Sequence, residues 1–223
     1  MIRILKKCGV GCYYLDVFAA AIFYADDMAI LAPSLKGLQK LLDLCGLYCH
    51  EWDICLNARK TKNLFFGKKC DEPAQLSIDG KNIEWVAECV YLGVTLKSGK
   101  RFGCSVMEKV QKFYRSANSI LRIDGRSDDL TMLHLLETHC VPILTYGIEI
   151  IFVSDVNERR KLRVAYNSIF RKIFAYRWRE SVTQLQSCLG RPTWEQLIER
   201  RRSNFLRNCQ NCPPDSLLRT ITM

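Results

Sequence analysis

The sequence predicts an α+β protein in which short strands come first and helices follow, with the change near residues 97–103. Three observations carry this. Up to Val94 apolar residues alternate or cluster in short runs, after Gly103 they recur at helical spacing, and Ser, Gly and Lys gather between the two regimes. The 223 residues, 48% of them apolar, suffice for one large core or two small ones. The change of pattern divides them into residues 1–100 and residues 101–223.

Each element has its own warrant. Cys12 to Val17 alternates weakly, and Phe18 to Ala32 is apolar except for the doublet Asp26-Asp27, which predicts two short strands folded around an acidic turn. From Ser34 the period changes. Leu35, Leu38, Leu41, Leu42, Cys45, Cys49 and Trp52 fall on one helical stripe, with Ser34 as N-cap, so a helix is predicted over 34–53. A strand is expected from Asn63 to Phe66. Leu76-Ser77-Ile78, Asp79-Gly80 and Asn82-Ile83 read as a hairpin, because both central positions of an Asp-Gly turn tolerate positive φ. A last strand is expected through Val90-Tyr91-Leu92-Gly93-Val94, and helices over 104–122, 128–148, 155–177 and 193–208.

Composition narrows the function classes. The longest uncharged apolar run near the front, Val17 to Ala25, is about half of what a bilayer needs, so no membrane partner is expected. Asp16 interrupts any signal-like apolar stretch, and the twelve cysteines are scattered and partly set in apolar runs. The expectation is an intracellular chain, cytoplasmic or nuclear and not secreted, with mostly buried free thiols. The net charge is +10, and residues 151–223 carry +8 of it. A basic surface of this kind favours polyanions, nucleic acid first.

Two adjacent carboxylates at the tip of an apolar hairpin gain nothing from Phe23, Tyr24, Met28, Ile30 and Leu31. An exposed turn accepts Asp readily and needs no chemistry. The functional alternative is a divalent-cation site, since hard carboxylate oxygens bind Mg²⁺, which completes its shell with water and phosphate oxygens.

Tyr24-Ala25-Asp26-Asp27, preceded by Ala20-Ala21-Ile22-Phe23 and followed by Met28-Ala29-Ile30-Leu31-Ala32, resembles the catalytic hairpin of reverse transcriptases, especially those of LINE-type (non-LTR) retrotransposons. Asn57-Ala58-Arg59-Lys60-Thr61-Lys62 is similar to the family's next motif. Tyr91-Leu92-Gly93-Val94 resembles the motif that supports the primer end, and Val141-Pro142-Ile143-Leu144-Thr145-Tyr146-Gly147-Ile148-Glu149 resembles part of the helical thumb and connecting region. The resemblance runs in order through nearly the whole chain. It implies a partial polymerase palm over 1–100, a helical thumb and basic connector over 101–223, and two-metal nucleotidyl transfer with Mg²⁺ or Mn²⁺ on an RNA template and DNA primer. It further implies a catalytic set of Asp26, a direct metal ligand, Asp27, the supporting acid at the same metal site, and Lys60, near the triphosphate to offset charge on the leaving pyrophosphate. Tyr24, Ala25, Tyr91, Leu92 and Gly93 would lie beside nucleotide or primer, and Arg159, Arg160, Lys161, Arg171 and Lys172 against the nucleic-acid backbone.

Members of that family carry a further aspartate on an earlier strand, and fingers upstream of it, whereas 23 residues precede Tyr24 here. The expectation is therefore a fragment truncated at its N-terminus, inactive alone and completed by an upstream part of the same open reading frame. A non-catalytic nucleic-acid-binding fragment is the alternative. It rests on the basic C-terminal run and its aromatics Tyr166, Phe170, Phe174, Tyr176 and Trp178, although Leu162, Tyr166, Ile169, Phe170 and Ile173 also fit a buried stripe. A third reading, a zinc module, rests on Cys209-Gln210-Asn211-Cys212, with His134, His139 and Cys140 as further donors.

Overall fold

The computed structural model describes residues 1–68, 74–123, 128–149, 155–213 and 216–222. The chain forms two compact units. One comprises residues 1–93, 97–101 and 209–223, the other residues 94–96 and 102–208.

The first unit opens with helix α1 (Ile2–Lys7) and two small antiparallel hairpins, β1 (Tyr13–Tyr14) with β2 (Val17–Phe18) and β3 (Ala21–Tyr24) with β4 (Asp27–Ile30). Helix α2 (Leu35–Glu51) follows. Ser34 caps it, its hydroxyl accepting from the Gly37 amide at 3.1 Å, and Leu41, Leu42, Cys45 and Cys49 form the buried stripe. Trp52 departs from that stripe. The helix ends at Glu51, Asp53 turns the chain at φ 52, and Trp52 stays 62% exposed, stacked on Tyr48.

Leu5, Ala20, Leu41 and Cys45 make one core cluster, with Phe23, Met28 and Ile30 packed against it. A second joins Leu42 to Leu76, Ile78 and Ile83 of β6 (Leu76–Ile78) and β7 (Lys81–Trp85). That hairpin closes through Asp79 at φ 49 and Gly80 at φ 72, the left-handed pair that the Asp-Gly turn anticipates. The strand expected over 63–66 is only β5 (Lys62–Asn63), parallel to β7, followed by a single parallel bridge from Phe66 to Gly99.

The strand expected through Val90–Val94 is interrupted. β8 (Glu88–Tyr91) ends at a two-residue turn, Leu92 at φ 46 and Gly93 at φ 72, and β9 (Val94–Lys97) begins beyond it. Gly93 takes the left-handed conformation without penalty, whereas Leu92 holds it at a cost of roughly 1–2 kcal/mol.

In the second unit β9 pairs with β10 (Gly103–Ser105), and the helices among its described residues are α3 (Met107–Ile123), α4 (Asp129–His139), α5 (Val141–Thr145), α6 (Val156–Ile173), α7 (Thr183–Cys188) and α8 (Trp194–Gln210). A further helix, α9 (Leu217–Thr222), belongs to the residues grouped with the first unit. The helix expected over 128–148 breaks at Cys140, because Pro142 has no amide to donate into a continuous helix and instead occupies the first turn of α5. Helix α6 stops at Ile173, before the 177 expected, with Ala175 at φ 55. Its apolar stripe, Leu162, Ala165, Tyr166, Ile169 and Phe170, lies wholly in the core with Phe113, Leu133, Leu136 and Leu144.

Two polar side chains hold this core to its loops. The Glu158 carboxylate, buried at 5% exposure, accepts from the Val106 amide at 2.6 Å and from Lys161 at 2.5 Å. The Lys109 ammonium, 8% exposed, donates to the Tyr146 carbonyl at the end of α5 and lies 5.0 Å from the Tyr146 ring centroid. No helix among the described residues is long and apolar enough to cross a membrane.

Candidate active site at the acidic hairpin

The hairpin of β3 and β4 has two faces because side chains alternate along each strand. Ala21, Phe23, Met28 and Ile30 point into the first core cluster. Ile22 and Tyr24 point the other way and are 42% and 65% exposed. Tyr24 stands directly opposite Asp27 in the register, and Ala25-Asp26 forms the two-residue turn between them. Their Cβ atoms are therefore about 4.5–5.5 Å apart on the outward face.

Ala25 holds φ 50, a conformation that an L-residue with a Cβ avoids. Backbone strain of this kind costs roughly 1–3 kcal/mol and persists where surrounding structure dictates it. Here the surroundings are the packed inner face and the bonds at the hairpin's base, Leu31 N–H to the Ala20 carbonyl at 2.7 Å and Cys12 N–H to the Leu31 carbonyl at 3.2 Å. The result is a fixed tip that carries two carboxylates into solvent. Among the described residues neither Asp26 nor Asp27 has an ion-pair or side-chain hydrogen-bond partner.

Tyr91, at the end of β8, belongs to this neighbourhood. Its hydroxyl oxygen is buried without a hydrogen-bond partner among the described residues. Burial and the negative charge of Asp27 both push the phenol above its usual range, so the two groups feel one another. The resemblance places Tyr91 at the primer end, and the influence of Asp27 on it is not legible in the sequence, because the residues are far apart and no pattern links them. Leu92 and Gly93 form the turn immediately after it.

Lys60 is exposed in the tight turn after α2, where the Lys60 amide donates to the Asn57 side chain at 3.2 Å and Ala58 is buried. No interaction joins Lys60 to Asp26 or Asp27 among the described residues. Nor does any group of three or more His, Cys, Asp or Glu side chains with the geometry to hold a metal ion occur there, whether around Asp26 and Asp27 or around Cys209 and Cys212. The acidic tip thus offers two hard oxygen donors, which fits part of a Mg²⁺ or Mn²⁺ shell and leaves the remainder to other groups.

The basic residues of α6 differ in availability. Lys161 pairs with Glu158, Arg171 donates to the Glu180 carbonyl at 3.0 Å, and Lys172 donates to the Asn118 side chain at 2.7 Å and lies over the Tyr114 ring. The Nε atom of Arg171 is buried without a hydrogen-bond partner among the described residues. Arg160 is exposed, with no side-chain partner among the described residues.

The chain is 28% identical over 193 residues to the Probable RNA-directed DNA polymerase from transposon BS of Drosophila melanogaster, an alignment covering 82% of this chain and 21% of that protein. It is 23% identical over 215 residues to the RNA-directed DNA polymerase from mobile element jockey of the same organism, covering 92% of this chain and 23% of the relative. With the jockey polymerase of Drosophila funebris it shares 24% identity over 164 residues, 70% of this chain and 18% of that protein. The chain therefore spans about a fifth of the length of these curated relatives. No family profile and no solved structure matches it. The relatives are RNA-directed DNA polymerases of mobile elements, the class that the hairpin and its following motifs resemble.

Proposed function

We propose that this chain supplies part of a retrotransposon reverse transcriptase, the second half of the palm and a helical thumb and connector, and that Asp26 and Asp27 are two of the metal ligands of its nucleotidyl-transfer site. The observation that carries the reading is the pair of carboxylates, unpartnered among the described residues, on a tip strained at Ala25, in a chain whose curated relatives are RNA-directed DNA polymerases. Bound Mg²⁺ or Mn²⁺ would supply charge stabilisation for attack of a primer hydroxyl on a nucleotide α-phosphate.

The chain's own residues orient the site. Asp26 and Asp27 hold oxygens at the tip, and Tyr24, exposed opposite Asp27, packs beside the incoming base pair with Ala25 at the turn. The Tyr91 hydroxyl faces the field of Asp27, and Leu92-Gly93 turns the backbone at the primer end. Lys60 is solvent-accessible, free to meet the triphosphate. Arg160 is the available phosphate contact on α6, with Arg159, Lys161, Arg171 and Lys172 able to exchange present partners for phosphate. RNA template and DNA primer are the partners on this reading.

Two carboxylates hold Mg²⁺ loosely, so further acidic groups must come from outside the described residues. The same observation favours a second reading, in which this polypeptide alone binds nucleic acid without catalysis. Primer extension on an RNA template separates the two. An open reading frame that contains this chain and the residues upstream should extend a primer and lose at least a hundredfold on Asp26→Asn. If extension is absent in both, while salt-dependent binding of an RNA–DNA duplex persists unchanged in Asp26→Asn, the non-catalytic reading stands.

A further inference from the structure

The segment between α6 and α7 is a built loop. Ala175 turns the chain at φ 55, and the Tyr176 amide donates to the Arg171 carbonyl at 3.1 Å. The Arg177 amide donates to the Glu180 carboxylate at 2.8 Å, the Glu180 amide returns to the Arg177 carbonyl at 3.1 Å, and the Arg171 guanidinium holds the Glu180 carbonyl at 3.0 Å. This scaffold fixes a short segment that presents Trp178 at 77% exposure. The Arg179 guanidinium lies 5.3 Å from the Trp178 ring centroid.

An exposed indole on a hydrogen-bonded loop, with Arg179 against its ring and Arg177 before it in sequence, sets narrow demands on an occupant. An apolar protein surface would cover the ring but desolvate Arg177 and Arg179 without an anion to meet them. A polyanion without flat groups would satisfy the arginines and leave the ring in water. Single-stranded nucleic acid meets both demands, since every base has a face to stack and a phosphate on either side. A duplex hides those faces everywhere but at its ends.

We infer that the loop Tyr176–Glu180 is a binding site for single-stranded nucleic acid, in which one base stacks on Trp178 and the adjoining phosphates lie against Arg177 and Arg179. The site lies outside the acidic hairpin and uses none of its residues. It shares with the proposed function only the premise that the ligand is nucleic acid.

Fluorescence anisotropy of the full chain with labelled oligo(dT) tests it. Trp178→Ala should weaken single-strand binding by roughly 5- to 150-fold, the worth of one stacked base, while Trp178→Phe keeps most of the affinity. Arg177→Gln and Arg179→Gln should each lower the slope of log affinity against log salt by roughly 0.7. Blunt duplex binding should stay within about twofold in Trp178→Ala, whose melting temperature should match that of the parent chain because the ring is outside the core. Asp26→Asn should leave all of these unchanged, so loss of primer extension and loss of this site are separately visible. Unchanged single-strand binding in Trp178→Ala, equal loss for single strand and duplex, or a preference for anionic lipid vesicles over oligo(dT) that Trp178→Ala abolishes would each overturn the inference.

Discussion

Gly11 is where a single methyl group should do most damage to the acidic hairpin. It holds φ +114, and a Cβ placed on it would lie 2.4 Å from the Cβ of Ala20, a fully buried residue at the base of β3. The next residue, Cys12, donates to the Leu31 carbonyl and accepts from the Ala19 amide, so the backbone cannot withdraw without breaking bonds that set the hairpin's base. The strain of an L-residue at this φ costs roughly 1–3 kcal/mol, and overpacking against a buried atom adds a similar amount. Gly11→Ala should therefore destabilise the first unit by roughly 2–6 kcal/mol, a large part of a typical domain's 5–15 kcal/mol. Gly9 is the internal control. It also has a positive φ, +71, but nothing lies within 4 Å of an added Cβ, so Gly9→Ala should show strain alone, about 1–2 kcal/mol. Urea unfolding followed by hydrogen exchange of residues 10–31 would measure both, and Ala20→Gly should recover part of the loss only in the Gly11→Ala background. If Gly11→Ala falls within about 0.5 kcal/mol of the parent, or no lower than Gly9→Ala, the close approach to Ala20 is not what fixes the hairpin.

Two further outcomes follow from buried titratable groups. Burial lowers the Lys109 pKa below its ordinary 10.5, with Cys104 and Glu149 opposing. Its charge therefore weighs against folding at every pH below the folded value, and that penalty is relieved as pH rises toward 10.5. The unfolding free energy of the parent chain minus that of Lys109→Met should rise through the alkaline range up to 10.5, and a flat or falling difference refutes the assignment. Burial pushes the Cys45 thiol up to about 12, with Cys49 adding to it and the N-terminal ammonium opposing. Stability that depends on a protonated Cys45 is fully present below about 9 and lost as pH rises from there toward 12. Near pH 8 a disulfide reagent should label the exposed Cys55 and Cys188 first and reach Cys45 only as the unit unfolds, which peptide mapping by mass reads directly.

Local signals in this sequence translate well and nonlocal ones do not. Ser34, Asp79-Gly80 and the stripe through Leu41, Cys45 and Cys49 each state their geometry within a few residues, and the structure places a cap, a left-handed turn and a buried helix face there. The turn at Leu92-Gly93 is missed because Leu disfavours φ 46, so a β-rich run reads as one strand. The only cue is Gly93. Pro142 carries a clearer cue for the break between α4 and α5, overridden in the reading by apolar spacing that continues across it. Trp52 matches the helical stripe by position, but the stripe's period has no meaning once the helix has ended.

The site divides along the same line. The doublet Asp26-Asp27 and its opposing Tyr24 are legible because a hairpin is its own context, whereas the buried hydroxyl of Tyr91 within the field of Asp27 depends on how separate strands fold together. Charge is the least legible property. Residues 151–223 carry +8, yet Lys161, Arg163, Arg171, Lys172, Arg191 and Arg201 are engaged by Glu158, Glu195, the Glu180 carbonyl, Asn118, Glu137 and Glu149. Of these acceptors only Glu158 stands within one helical turn of its partner and could be paired from spacing alone. A phosphate that reaches this unit must displace those contacts or use cations not so engaged, such as Arg160 on α6 and Arg179 beside Trp178. The salt dependence of binding should therefore report a few phosphate contacts, well below what the net charge of the region suggests.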